Sequence, residues 1–337
     1  MFFALSLISA AILVAADTPE SVASQFGLTT STTLPFPAAT ASNSDAQALL
    51  VSQWGLSRGR IQNGAGDLSF VADPFPDKPA PGSATNSSGP VLQITYPEGS
   101  FSGDTGGAQF YNLWNSSGSA GFQSMLLSYE VAFDKGFNWV KGGKLPGLRG
   151  GSPNGCSGGN RSDGSRCFSS RIMWRLNGQG EGYTYTPTPN NICSDSKVSC
   201  NSDDFGTSLA RGSFTFSSGQ WNHVTMLVQM NNPVDIANGN IQVYFNNVLA
   251  FAQSNMQIRT TTNLTINGLY FSTFFGGADD SWATPETTHT YFRNLQLWGG
   301  SNPSTLAGAK VSSALPRLRS ASTLLCAALL VGTLSVL

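Results

Sequence analysis

Residues 141–175 contain Lys141, Lys144, Arg149, Arg161, Arg166, Arg171 and Arg175, with Asp163 as the only acid. The whole 337-residue chain has a formal charge of −1 and 18 basic residues in total, so seven of them fall in about a tenth of its length. A local positive field without a global one suits a cleft for an anionic polymer. Solvated loop positions account equally well for Arg161 and Arg166, which lie in Gly/Ser filler. Alternation sorts the others. In a strand over 168–176, Phe168, Ile172, Trp174 and Leu176 share one face, while Ser169, Arg171, Met173 and Arg175 share the opposite one. Cations facing an apolar layer would be costly, so that second face should line a wet groove. Tyr183 and Tyr185 repeat the device, with Thr184 turned the other way. The Gly-rich run Lys141-Gly-Gly-Lys144-Leu-Pro-Gly-Leu148 reads as a turn that brings an ammonium over the same wall.

Lys, Tyr and Arg without a carboxylate pair point away from glycoside hydrolysis, which normally sets two Asp/Glu across the bond. The chain has five Glu (Glu20, Glu98, Glu130, Glu181 and Glu286) and no E-x-D-x-E strand pattern. A uronate polymer can instead be cut by β-elimination. One group neutralises the C6 carboxylate, a base takes the C5 proton, and an acid protonates the O4 leaving group. Arg171 suits the first role by bidentate pairing. Lys144 and a tyrosine suit the others, if clustered positive charge favours neutral Lys and phenolate. Lys141, Arg175, Ser169 and Gln109 are candidate substrate contacts; Arg175 could equally pair with Glu181, and Gln109 could be held by backbone. No metal or cofactor is expected: Asp279-Asp280 is a weak calcium signal, and His223 and His289 read as structural.

The elements that must position these groups are β-strands. From about residue 45, short β-type runs alternate with Gly/Asn/Ser turns, near 68–72, 91–96, 108–113, 125–133, 168–176, 183–186, 214–216, 222–229, 241–245, 249–252, 269–275 and 291–298. A helical period shows only over Asp45–Trp54. Asn240 to Ala250 reads as a hairpin turning at Asn246-Asn247. The fold class is therefore all-β, a jelly-roll or concanavalin-A-like sandwich of two antiparallel sheets. Charged residues make up 11% of the chain, against ~25% in an average soluble domain. That excludes a coiled coil, a charge-driven nucleic-acid binder and a charge-rich disordered chain.

The motifs Phe137-Asn-Trp-Val-Lys-Gly-Gly-Lys-Leu-Pro-Gly-Leu148, Cys156-Ser-Gly-Gly159, Cys167-Phe-Ser-Ser-Arg-Ile-Met-Trp-Arg175 and Gly182-Tyr-Thr-Tyr-Thr-Pro187 closely resemble polysaccharide lyase family 14. The resemblance extends to Gly268–Gly277 and Phe292–Leu297, and so covers about 65–299. It implies alginate or glucuronan lyase activity on a β-jelly-roll, with the essential lysine at Lys144, the S-x-R pair at Ser169 and Arg171, and the Y-x-Y pair at Tyr183 and Tyr185. The expected partner is an acidic polysaccharide, acted on by a monomer. A non-catalytic lectin-like module binding acidic glycans is the alternative reading, and a hydrolase of the same sandwich type a third.

The ends carry processing signals. Residues 1–16 read as a signal peptide cut after Ala16, and 17–44 as an unpacked Ser/Thr-rich segment. Residues 45–299 form the lyase-like domain, and 300–313 a linker with the anchor site. Residues 314–337 read as the propeptide of a glycosylphosphatidylinositol anchor, placing lipid near Ser312. A secreted, membrane- or wall-anchored protein follows. Four domain cysteines allow three pairings, of which Cys156–Cys167 and Cys193–Cys200 close short polar loops. Sequons at Asn86, Asn115, Asn160 and Asn263 fit an exported surface.

Overall fold

The computed structural model describes residues 16–83, 89–114, 121–189, 192–201 and 205–311. Residues 1–15 of the expected signal peptide, the sequons at Asn86 and Asn115, and the expected anchor segment from Ser312 lie outside them. Among the described residues, seventeen strands occur in order: β1 (Thr30–Thr33), β2 (Leu68–Val71), β3 (Val91–Tyr96), β4 (Ala108–Leu113), β5 (Ser124–Phe133), β6 (Gly142–Gly151), β7 (Cys167–Arg175), β8 (Gln179–Tyr185), β9 (Val198–Ser199), β10 (Thr207–Thr215), β11 (Trp221–Gln229), β12 (Ile236–Ala237), β13 (Gly239–Phe245), β14 (Val248–Met256), β15 (Ile266–Phe275), β16 (Thr288–Gly300) and β17 (Ala309–Lys310). Helices α1 (Pro19–Gln25), α2 (Asn43–Gln53) and α3 (Ser102–Thr105) accompany them.

Two antiparallel sheets stack into the expected sandwich. One runs β14-β13-β11-β5-β16-β3-β2, with β1 also on β16; the other runs β4-β15-β6-β7-β8-β10-β9. Their facing sides alternate apolar residues into one core. Phe168, Ile172 and Trp174 of β7 meet Tyr129, Val131 and Phe133 of β5 there. Phe110 and Phe271 stack at 4.5 Å within it. The β13–β14 hairpin turns at Asn246 and Asn247, both at positive φ (51° and 61°), as a two-residue turn of this hand requires. Both disulfides form as expected, Cys156–Cys167 and Cys193–Cys200.

Three sequence expectations are corrected. The Lys141–Leu148 run is not a turn: from Gly142 on it is the start of β6, third in its sheet. Its glycines are there for close approach, because a Cβ at Gly143 would lie 2.1 Å from the Trp174 ring and one at Gly147 2.0 Å from the Ser170 carbonyl oxygen. Pro146 sits where the pairing with β7 shifts register, the kind of position a strand proline tolerates. Residues 17–44 are packed, not free. Val22, Ala23 and Leu28 cover Leu126, Leu227 and Trp298 on the outer side of the first sheet, and β1 pairs with β16. Leu176 does not reach the core; it is 59% exposed just beyond the end of β7. Residues after Gly300 are also laid on the body, where Lys310 pairs with Ile236.

Candidate active site

Alternation leaves the other side of the β4–β9 sheet with few apolar residues, and a groove of about 740 Å³ runs across it. Its floor is drawn from five neighbouring strands: Gln109 of β4, Tyr270 and Phe274 of β15, Lys144 of β6, Arg171, Met173 and Arg175 of β7, and Tyr183 and Tyr185 of β8. The register explains the grouping. Lys144 lies opposite Met173 across the β6–β7 pair. Arg171 lies opposite Tyr183, and Ser169 opposite Tyr185, across the β7–β8 pair. Loops and short helical turns, α3 among them, wall the groove with Asn63, Asp104, Ser157, Asn201, Phe205, Asp279 and Trp282.

Lys144 lies over the first tyrosine. Its Nζ is 3.5 Å from the centroid of the Tyr183 ring and donates to Sδ of Met173 at 2.7 Å. Burial pulls the Lys144 ammonium well below the ordinary lysine range, and the Arg171 and Arg175 charges pull in the same direction. The sequence expectation for the phenols is corrected for Tyr183. Burial raises Tyr183 to about 12, outweighing the opposing pull of Arg171 and Arg175, so it stays a neutral phenol. Tyr185 Oη accepts the Gly159 N–H at 3.3 Å. That donor belongs to the loop closed by the Cys156–Cys167 disulfide.

Arg171 is almost fully buried, at 1% exposure. Its Nη1 donates to Ser272 Oγ at 2.9 Å, and its guanidinium sits 4.5 Å from the Tyr270 ring centroid and 6.0 Å from that of Tyr185. Among the described residues its Nε has no hydrogen-bond partner, and no carboxylate pairs with it. Gln109 stands behind this arrangement, with Oε1 accepting from Tyr270 Oη at 3.0 Å and Ser272 Oγ at 3.2 Å.

The remaining candidates are spread out. Arg175 lines the groove and donates to Glu181 through Nε and Nη2, the pairing that the sequence left open. Lys141 stands at the rim, where its Nζ donates to Ser281 Oγ at 2.5 Å beside Trp282. Ser169 is buried, and its hydroxyl donates to the Cys156 carbonyl at 2.6 Å. It secures the disulfide loop instead of facing the groove. His223 and His289 lie on β11 and β16 of the other sheet. Sequence reasoning passed over Arg211, Tyr270 and Trp282, and named Glu181 only as an alternative partner of Arg175. Glu181 was within reach, being two residues before Tyr183 on the same side of β8.

The sequence model of a family described as Polysaccharide lyase 14 matches residues 84–295. Among solved structures, the crystal structure of the marine PL-14 alginate lyase from Aplysia kurodai shares 30% identity with a TM-score of 0.64, covering 79% of this chain and 100% of that one. Alginate lyase Aly36B (18% identity, TM-score 0.56, 84% of this chain and 98% of that) is alike in fold. So is alginate lyase vAL-1 from Chlorella virus (24% identity, TM-score 0.50, 70% of this chain and 95% of that). No curated protein sequence matches the chain.

Proposed function

The chain belongs to polysaccharide lyase family 14 and is a polysaccharide lyase; from that premise we propose that its substrate is an alginate-type polyuronate and that Lys144, Arg171 and Tyr183 carry the chemistry. The 30% identical alginate lyase supports the polymer, with glucuronan as the other candidate. Arg171 carries the reading. A buried guanidinium without an acid is costly, and here it opens onto a groove beside an amine and two phenols. A uronate carboxylate docked against its unpaired N–H groups offsets that cost. It also withdraws charge from the sugar, which makes the C5 proton more acidic.

The elimination then follows from the state of each group. Lys144 is the groove cation whose charge burial disfavours, so it serves as the base and takes the C5 proton. The C–H electrons form the C4–C5 double bond and the C4–O4 bond breaks. The Tyr183 hydroxyl, held neutral, gives its proton to O4. No water is consumed, and one fragment ends in an unsaturated uronate. Tyr185, oriented by the Gly159 N–H, lies beside the same sugar. The two disulfides support residence in an oxidising compartment, and Asn160 and Asn263 are exposed, as glycosylation needs.

Incubating the purified protein with alginate and with glucuronan tests this. Ultraviolet absorbance from the unsaturated end should grow with at least one polymer and be lost in Lys144→Ala. Binding without product would favour the lectin-like reading, and saturated ends carrying solvent oxygen a hydrolase.

A further inference from the structure

Glu181 of β8 is wholly inaccessible, yet it sits on the groove side of its strand. Its Oε1 accepts from Arg175 Nε at 2.8 Å and Nη2 at 2.5 Å. Its Oε2 accepts from Arg211 Nε at 2.6 Å and Ser208 Oγ at 2.5 Å. One carboxylate thus holds two guanidinium groups. Neutralising Glu181 needs only one arginine, so the trio keeps a net positive charge. Both arginines line the groove, Arg175 with 13% and Arg211 with 49% of the side chain accessible. Among the described residues Arg211 commits one of its five N–H groups to Glu181, which leaves the other four for a ligand.

The backbone is bent to place Arg211. β10 pairs regularly with β8 as far as Leu209, opposite Gly182, and resumes at Phe214, opposite Gly180. The extra residues form a bulge, in which Ala210 takes φ 50° and Gly212 φ 79°. A positive φ on alanine is strained, and bulges re-aim side chains. Here the re-aimed side chain is Arg211. Arg175 also lies four residues beyond Arg171 on one face of β7, about 13 Å along the strand at the usual rise.

We propose that Arg175 and Arg211, clamped by Glu181, form a second carboxylate-binding position along the groove, so that the enzyme recognises acid groups on two sugars of the chain and not only at the bond it breaks. This rests on the lyase reading above and adds to it a requirement for a second uronate further along the polymer. Glu181 is a positioning residue: it touches no substrate and fixes the angle of both guanidinium groups. A second groove, lined by Lys197 and Gly212, continues past Arg211, so a polymer can run on beyond the clamp.

Steady-state kinetics of wild type, Arg211→Gln, Arg211→Lys and Glu181→Gln on an intact polyuronate, and on the same polymer with about half its carboxylates reduced to alcohols, test the proposal. On the intact polymer, Arg211→Gln should raise KM about tenfold, the loss of one charge-assisted contact, with kcat within about twofold. Arg211→Lys should recover part of that loss, and Glu181→Gln should share it. On the reduced polymer, wild type and Arg211→Gln should converge. Equal KM for wild type and Arg211→Gln on the intact polymer, or the same fold-loss on both polymers, overturns the proposal. Arg211 is half-exposed, so its variants decide the matter even if Glu181→Gln fails to fold. A wild type that makes no unsaturated product from any polyuronate would instead overturn the lyase reading itself.

Discussion

Lys144 is a residue whose charge the folded protein resists. Its pKa lies lower in the folded than in the unfolded chain. Between those two values the unfolded chain binds the extra proton, so stability rises with pH across that window, and the penalty is fully present below it. Lys144→Met should therefore stabilise the protein at neutral pH, by about 1 kcal/mol or roughly 2–4 °C in Tm, while removing about 10²–10⁴-fold of the activity. Thermal unfolding and turnover measured on one preparation check both halves. The same shift sets the pH profile. A base works when deprotonated, so kcat/KM should climb through the Lys144 pKa, below the ordinary lysine range. It should hold until Tyr183 loses its proton near about 12. A climb that starts only within the ordinary lysine range would remove Lys144 as the base. Arg171, Tyr183 and Tyr185 were legible in the sequence because a strand turns alternate side chains to one side, and the pattern survives without any knowledge of partners. Glu181 was read only as a partner for Arg175, because a lone acid says nothing of the second arginine, Arg211, that the bulge in β10 brings to it.

At the scale of elements, β6 shows what composition hides. Its Gly and Pro content imitates a turn, yet those glycines exist because neighbouring backbone and the Trp174 ring occupy the space of a Cβ. Gly147→Ala should cost about 2–4 kcal/mol, since the new methyl would lie 2.0 Å from the Ser170 carbonyl oxygen and 2.5 Å from Arg171 Cα. Gly66→Ala, with nothing within 4 Å, should stay within about 0.5 kcal/mol. Urea denaturation of the pair checks the contrast. The hairpin at Asn246-Asn247 was readable because its turn chemistry and its alternation agree. β1 was not, because Thr30–Thr33 is a polar edge strand whose pairing with β16 depends on backbone alone. β10 was read short, as 214–216, because the bulge around Ala210 breaks its alternation, and Arg211 was lost with it. The loop between Cys156 and Cys167 joins this scale to the previous one. Replacing both cysteines by serine should cost about 2–4 kcal/mol and, by loosening Gly159 from Tyr185, should lower kcat as well. Unfolding and turnover curves of the double variant report the two effects separately.

Across the whole molecule, charge is concentrated in few places. The outer side of the β14–β2 sheet carries a closed set in which Arg293 meets Asp73 at 2.5 Å and Glu130 at 2.7 Å, with its guanidinium 4.1 Å from the Trp221 ring centroid. Arg293 neutralises only one of these two acids, so the set keeps a net negative charge, and it holds the segment around Asp73 to the sheet. The groove is the reverse case, where the cations outnumber the acids that pair with them. Salt should therefore weaken substrate binding more than turnover, with KM rising and kcat steady as the screening length falls from ~10 Å at 0.1 M towards ~3 Å at 1 M. A kcat that collapses in step with KM would place the excess charge in the reacting step instead. The central claim is that buried cations and the neutral Tyr183 phenol in this groove acidify a carbon–hydrogen bond beside a carboxylate and break the bond next to it. Its most direct measurement is the rate at which unsaturated uronate ends form from alginate, compared between wild type and Lys144→Ala with folding verified in both. The account predicts steady formation by the wild type and a loss of at least about a hundredfold in the variant; equal rates in the two proteins would contradict it.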